Sequence, residues 1–307
     1  LIPDRRHIQT EQPHPQSSGL DTLGITDALQ LMDAENAHAV EAVRAARASL
    51  AKAVQWAADA LSQGGRIIYA GAGTSGRLAV LDAAECPPTF SSDPSQVVAI
   101  IAGGDAALRQ SIEGAEDDAE AGARAISKLH PGKLDLVIGI AAGGTTPFVH
   151  GVLASARAAG ARTAFIVCTD PAPFNSAADL LIHLPTGPEL ITGSTRLKAG
   201  TATKLALNAI STLAMVQMGK VLGNMMVDVD AGKNAKLWDR AARIIETITG
   251  ISRSDSLHLL QRANGRVKRA LVMHYRGVSA SEADHLLADG GLRLRDLIDR
   301  PAPTRND

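Results

Sequence analysis

The residues best suited to chemistry cluster in one stretch, Gly65 to Phe90, which reads GRIIYAGAGTSGRLAVLDAAECPPTF. Gly71, Gly73 and Gly76 let the backbone turn sharply and approach a ligand, and N–H groups at the start of the following helix form an anion site. Thr74 and Ser75 add two hydroxyls, which suits a compact phosphate monoester. Cys86-Pro87-Pro88 is expected to stop that helix and leave Glu85 in its last turn, against the negative end of the helix dipole. A carboxylate held at such a cost is a candidate for acid or base work. The loop also spells G-x-G-x-x-G, the turn of a dinucleotide site. That site calls for an acidic residue about 20 positions on, closing the second strand. Here Asp93 precedes that strand and Asp105 follows its closing Gly103-Gly104 pair.

Two further stretches carry candidate ligand groups. Gly143-Gly144-Thr145-Thr146-Pro147 is a second glycine-hydroxyl loop, and Ser194, Thr195, Arg196 and Lys198 open a long apolar helix expected over 196–222. Positive charge in a first turn opposes the macrodipole, so an anion nearby would resolve the conflict; a solvated helix start is the other reading. The run Glu113, Glu116, Asp117, Asp118 reads from composition as a solvated helix face, with Glu113 and Glu116 on one side if helical. Nine histidines show no pair at metal-ligand spacing, and two cysteines are too few for a thiolate zinc site or a disulfide scaffold. No metal site and no cofactor are expected.

The elements that would position these groups alternate. Short apolar runs near 67–69, 97–102, 135–141, 163–168 and 180–184 read as strands separated by helices, which means a parallel sheet covered on both faces. The expected fold class is α/β, a three-layer arrangement with strand order 2-1-3-4-5 and a small all-helical C-terminal domain. In that order the ligand crevice lies at the carboxyl ends of strands 1 and 3, where both glycine loops emerge. Residues 1–24 are read as an extended arm or a disordered terminus, 25–232 as the sugar-phosphate-binding domain and 233–307 as the helical domain. A helical region is expected over 106–129. With a net charge of −1 and 3% aromatics, neither a nucleic-acid nor a membrane partner is expected. No apolar stretch near the first residue resembles a signal peptide, so a cytoplasmic enzyme is the default.

Three separated stretches, GAGTSGRLAVLDAAECPPTF, EGAEDD, and GPELITGSTRLKAGTATK with NMMVDVDAGKNAKL beyond it, resemble the N-acetylmuramic acid 6-phosphate etherases. That family shares a sugar-isomerase (SIS) fold with the glucokinase regulatory protein, and the likeness runs from about Thr10 to about Asp299. The resemblance implies cleavage of a D-lactyl ether without metal or nucleotide, by a homodimer. It puts the two catalytic glutamates on Glu85 and Glu116, with Glu116 as base and Glu85 as acid. It assigns phosphate contacts to Thr74, Ser75 and the Gly144, Thr145, Thr146 loop; Gly73, Glu113, Ser194, Arg196 and Lys198 stand beside these as further ligand candidates from the residues themselves. Where many relatives read A-A-S-G-R-T-P, this chain has Ala141-Ala142-Gly143-Gly144-Thr145-Thr146-Pro147, without the serine hydroxyl and the arginine. A non-catalytic hexose-phosphate sensor and a sugar-phosphate isomerase are the alternatives on the same fold.

Overall fold

A computed structural model of the chain describes residues 6, 8–170, 178–229, 231, 235–288 and 294–299. By its internal contacts the chain divides into two units, 1–86 with 93–214, and 87–92 with 215–307.

The first unit is built on five parallel strands, β1 (Ile67–Gly71), β2 (Val97–Ile101), β3 (Leu136–Ile140), β4 (Arg162–Val167) and β5 (Leu180–His183), in the expected order β2-β1-β3-β4-β5. β1 and β3 are buried along their whole length, as β-branched strands between helical layers must be. Side chains alternate across the sheet. Ile68, Val137 and Phe165 face Phe148, Val149, Val152 and Leu153 of α5 (Pro147–Ala158) and Ile126 of α4 (Ala119–Ser127). Tyr69 points the other way and donates its hydroxyl to Asp82 of α3 (Gly73–Phe90) at 3.0 Å. Asp82 also accepts from Asn208 Nδ2 at 2.6 Å and Ser211 Oγ at 3.1 Å, both on α6 (Lys198–Gln217). Burial raises the Asp82 carboxyl above the usual range, and these three donors oppose that shift. A polar knot thus fixes α3 to β1 and α6. Two helices precede the sheet, α1 (Ile25–Ala45) and α2 (Arg47–Ser62).

Three expectations are corrected here. α3 is not stopped at Cys86: it runs through Pro87 and Pro88 to Phe90. Each proline removes a backbone donor, and the helix nevertheless continues past both, with Cys86 and Phe90, four apart on one face, buried. The region 106–129 is not one helix either. Gly114, at φ 74°, breaks it, so Glu116 sits in a short 3₁₀ turn, Ala115–Asp117, before Asp118 caps α4 by accepting from Ala121 N at 2.7 Å. The helix expected over 196–222 ends at Gln217 and is followed by a hairpin, β6 (Val221–Leu222) and β7 (Met225–Met226).

The second unit gathers α7 (Ala235–Thr249), α8 (Arg253–Arg262), α9 (Val267–Arg276), α10 (Ala280–Ala288) and α11 (Leu294–Asp299). Its core includes Leu222, Val227 and Val229 beside Ile245, Leu260 and Leu271. The hairpin packs on these helices, which is why the unit begins at Met215, ahead of the expected boundary at 232/233. The proline-containing turn expected after the fourth strand lies at 171–177, outside the described residues. No described helix is long and apolar enough to cross a membrane.

Candidate functional site

The first glycine loop is as tight as its sequence suggests. A Cβ on Gly76 would meet Ile101 Cγ1 at 2.5 Å and the Gly71 carbonyl oxygen at 2.8 Å, so only glycine lets α3 start directly against the end of β1. The opening N–H groups of α3 at Gly73, Thr74 and Ser75 belong to the unsatisfied first turn of a helix. Opposite it, the second loop is shaped by Gly144 N donating to Ala141 O at 2.9 Å and by His150 Nε2 donating to Gly144 O at 2.8 Å. Thr146 occupies the N-cap of α5 without its side chain bonding the helix, which leaves the hydroxyl for a ligand.

Between these helix starts lies a cavity of about 220 Å³, lined by Gly73, Thr74, Ser75, Glu116, Gly143, Thr145, Thr146 and Thr195 among others. A second cavity of about 240 Å³ shares Ala72, Gly73 and Glu116 with it and adds Arg77, Ser111 and Glu113. Each is below the roughly 300 Å³ lower end of small-ligand sites, and together they pass it. Glu116 belongs to both, at the junction of a hydroxyl-rich end and an end holding Arg77. Arg77 spends two donors on backbone oxygens, Leu108 O at 3.3 Å and Gln110 O at 3.2 Å, and keeps the rest of its fork.

Several candidates from the sequence therefore meet: Gly73, Thr74, Ser75, Thr145, Thr146, Glu113 and Glu116 line these cavities, and Gly144 shapes the loop between two lining residues. Others do not join them. Glu85 is exposed and lines neither cavity; it lies ten residues past Ser75 on α3, about 15 Å along the axis at 1.5 Å per residue. Lys198 is buried and paired with Glu35 of α1, while Glu189 accepts from Lys198 N at 3.2 Å and Ala199 N at 2.9 Å to cap α6. The anion expected at that helix start is thus the chain's own pair of carboxylates. Glu35 is held below the usual carboxylate range: burial pushes it up, and Lys198, His14 and His38 outweigh that. Arg196 lies two residues before α6 and is exposed, and Ser194 is half-buried outside the cavity lining.

The part that sequence reasoning missed is the arm. Ile8 is 2% exposed and Thr10 is fully buried. Gln9 N donates to Thr169 Oγ1 at 3.0 Å, and Gly193 N donates to Thr10 O at 3.0 Å, so the arm is fastened to loops following β4 and β5. Ile8 and Glu11 then line the first cavity. His14, also buried, meets Glu35 at 3.1 Å. A polar segment without hydrophobic periodicity gives little sign of this; its only signal is an isolated isoleucine.

With the geometry in view, the comparisons with known proteins are specific. Residues 49–157 match the family model described as glucokinase regulatory protein N-terminal SIS domain. The chain is 52% identical to the N-acetylmuramic acid 6-phosphate etherase of Trichormus variabilis, with 97% of this chain and 96% of that one covered. It is 53% identical to the protein of the same description from Thermosynechococcus vestitus, over 89% of each chain. Among solved structures it is similar to a phosphoheptose isomerase from Francisella tularensis, at 14% identity and a TM-score of 0.46, covering 62% of this chain and 98% of that one.

Proposed function

The chain belongs to the N-acetylmuramic acid 6-phosphate etherase family, and from that premise we propose that it converts N-acetylmuramate 6-phosphate and water to N-acetylglucosamine 6-phosphate and D-lactate. The observation that carries the reading is a cavity lined by two helix starts, by the Thr74, Ser75, Thr145 and Thr146 side chains and by a carboxylate, Glu116. N–H groups at helix starts are suited to the phosphate dianion. The remote binding energy of that group would hold the reacting carbons in register.

The chemistry is that of a carbon–oxygen lyase. In the open-chain sugar the C2 proton is acidic beside the C1 aldehyde. Glu116 takes that proton, the C3–O bond breaks, and the departing lactate oxygen takes a proton from Glu85. The resulting 2,3-unsaturated aldehyde then adds water at C3 with the two roles reversed, which restores both carboxyl groups. General acid and base groups of this kind each contribute about 10²–10⁴ in rate.

Glu85 is exposed and far along α3 from the phosphate loop of its own chain. We therefore assign it to the site of a second subunit in a two-fold homodimer, in which each chain supplies the base to its own site and the acid to the other. A phosphosugar does not cross a lipid bilayer unaided, which argues for a cytoplasmic enzyme acting on recycled cell-wall sugar. The test is direct: incubate the purified protein with N-acetylmuramate 6-phosphate and assay D-lactate. Substrate binding without release of lactate would replace this reading with the hexose-phosphate sensor that the regulatory-protein match on 49–157 suggests.

A further inference from the structure

We infer that Glu11, carried by the N-terminal arm, is a substrate-binding residue that accepts hydrogen bonds from the hydroxyl or amide N–H groups of the sugar; the inference rests on the phosphosugar reading above. The arm fixes the backbone that carries this side chain. Glu11 lies in a 3₁₀ turn, Gln9–Glu11, closed by its own N–H on Ile8 O at 3.0 Å, and the turn is fastened at Gln9 and Thr10 to loops on the sheet. Its carboxylate rests against Gly193: a Cβ there would lie 2.9 Å from Glu11 Oε2, so any larger residue would displace it. Among the described residues, Glu11 and Glu116 are the only charged ones that line the first cavity, and the Glu11 carboxylate has no hydrogen-bond or ion-pair partner.

No cation among the described residues lines this cavity beside Glu11, and a carboxylate without a cation would repel phosphate. The charge therefore assigns the Glu11 side of the cavity to the neutral, donor-rich part of the sugar and the helix starts to its phosphate.

Titrating the full-length protein with N-acetylglucosamine 6-phosphate and, separately, with inorganic phosphate distinguishes the roles. Glu11→Gln should weaken the sugar phosphate about 10-fold, the scale of a hydrogen bond to a charged acceptor. It should leave inorganic phosphate as tight or tighter, because a negative charge has gone. Since Glu11 is exposed, the thermal midpoint should stay at the wild-type value. Equal loss for both ligands would reduce Glu11 to a prop for the arm, and no loss for either would make it a solvated rim residue; each result overturns the inference. Failure of the unmodified protein to bind the sugar phosphate at all would instead remove the phosphosugar reading, and this inference with it.

Discussion

If Glu85 serves the site of the opposite subunit, two inactive variants should repair each other. In a dimer pairing a Glu85→Gln chain with a Glu116→Gln chain, the site built around the mutated base also receives the mutated acid, and the other site receives both native carboxylates. The purified mixed dimer should then show about half of wild-type turnover, one intact site of two. Each variant alone should be down about 10²-fold or more, because glutamine keeps the shape and loses the proton transfer. The structural basis is the ten residues of α3 between Ser75 and Glu85, about 15 Å of helix. That exceeds the span from the phosphate to C3 of a hexose phosphate bound at the helix start. Co-expressing the two chains with different affinity tags, purifying through both and assaying D-lactate gives the number. A mixed dimer no more active than its parents would mean that the acid acts within its own chain, through a bend or movement of α3, or that Glu85 is not the acid.

Further outcomes follow from the same geometry. In deuterated water, Glu85→Gln should still exchange the C2 proton of recovered substrate while releasing no lactate, and Glu116→Gln should do neither; exchange surviving only in Glu116→Gln would reverse the two roles. If its hydroxyl anchors the phosphate as proposed, Ser75→Ala should raise KM more than it lowers kcat, and an unchanged KM would remove Ser75 from the phosphate site. Lys198→Met strands the Glu35 carboxylate in a buried position and should cost about 3–5 kcal/mol in denaturant unfolding. The Glu35 carboxyl lies below its usual value of 4.5 when folded, so its stabilising contribution is complete above that value and lost as pH falls through the folded one. This acid limb should be blunted in Lys198→Met, and an identical limb in both proteins would mean that the pair does not set acid stability.

What the sequence discloses here is what repeats locally. Each strand of the sheet is a short, largely apolar run, both glycine loops emerge from β1 and β3, and parallel order follows from alternation with helices, so sheet and cavity could be located from spacing alone. What it hides depends on single long-range contacts. The prolines after Cys86 read as a stop, yet α3 runs through them to a buried Phe90. Lys198 reads as a ligand for an outside anion, yet Glu35, 163 residues away, reaches it first. Composition shows neither contact, because each is made by one side chain with no periodic company.

The N-terminal arm and the second glycine loop belong to one such contact. A Cβ on Gly143 would stand 3.7 Å from both Ile8 Cγ2 and Thr10 Oγ1, at ordinary van der Waals contact. Sterics therefore do not exclude a serine here. The Thr10 hydroxyl is buried beside that position without a hydrogen-bond partner among the described residues. Ile8 and Glu11, on either side of Thr10, line the first cavity and make this part of the arm one of its walls. That is why a stretch with the composition of a loose terminus is held by hydrogen bonds to Thr169 and Gly193.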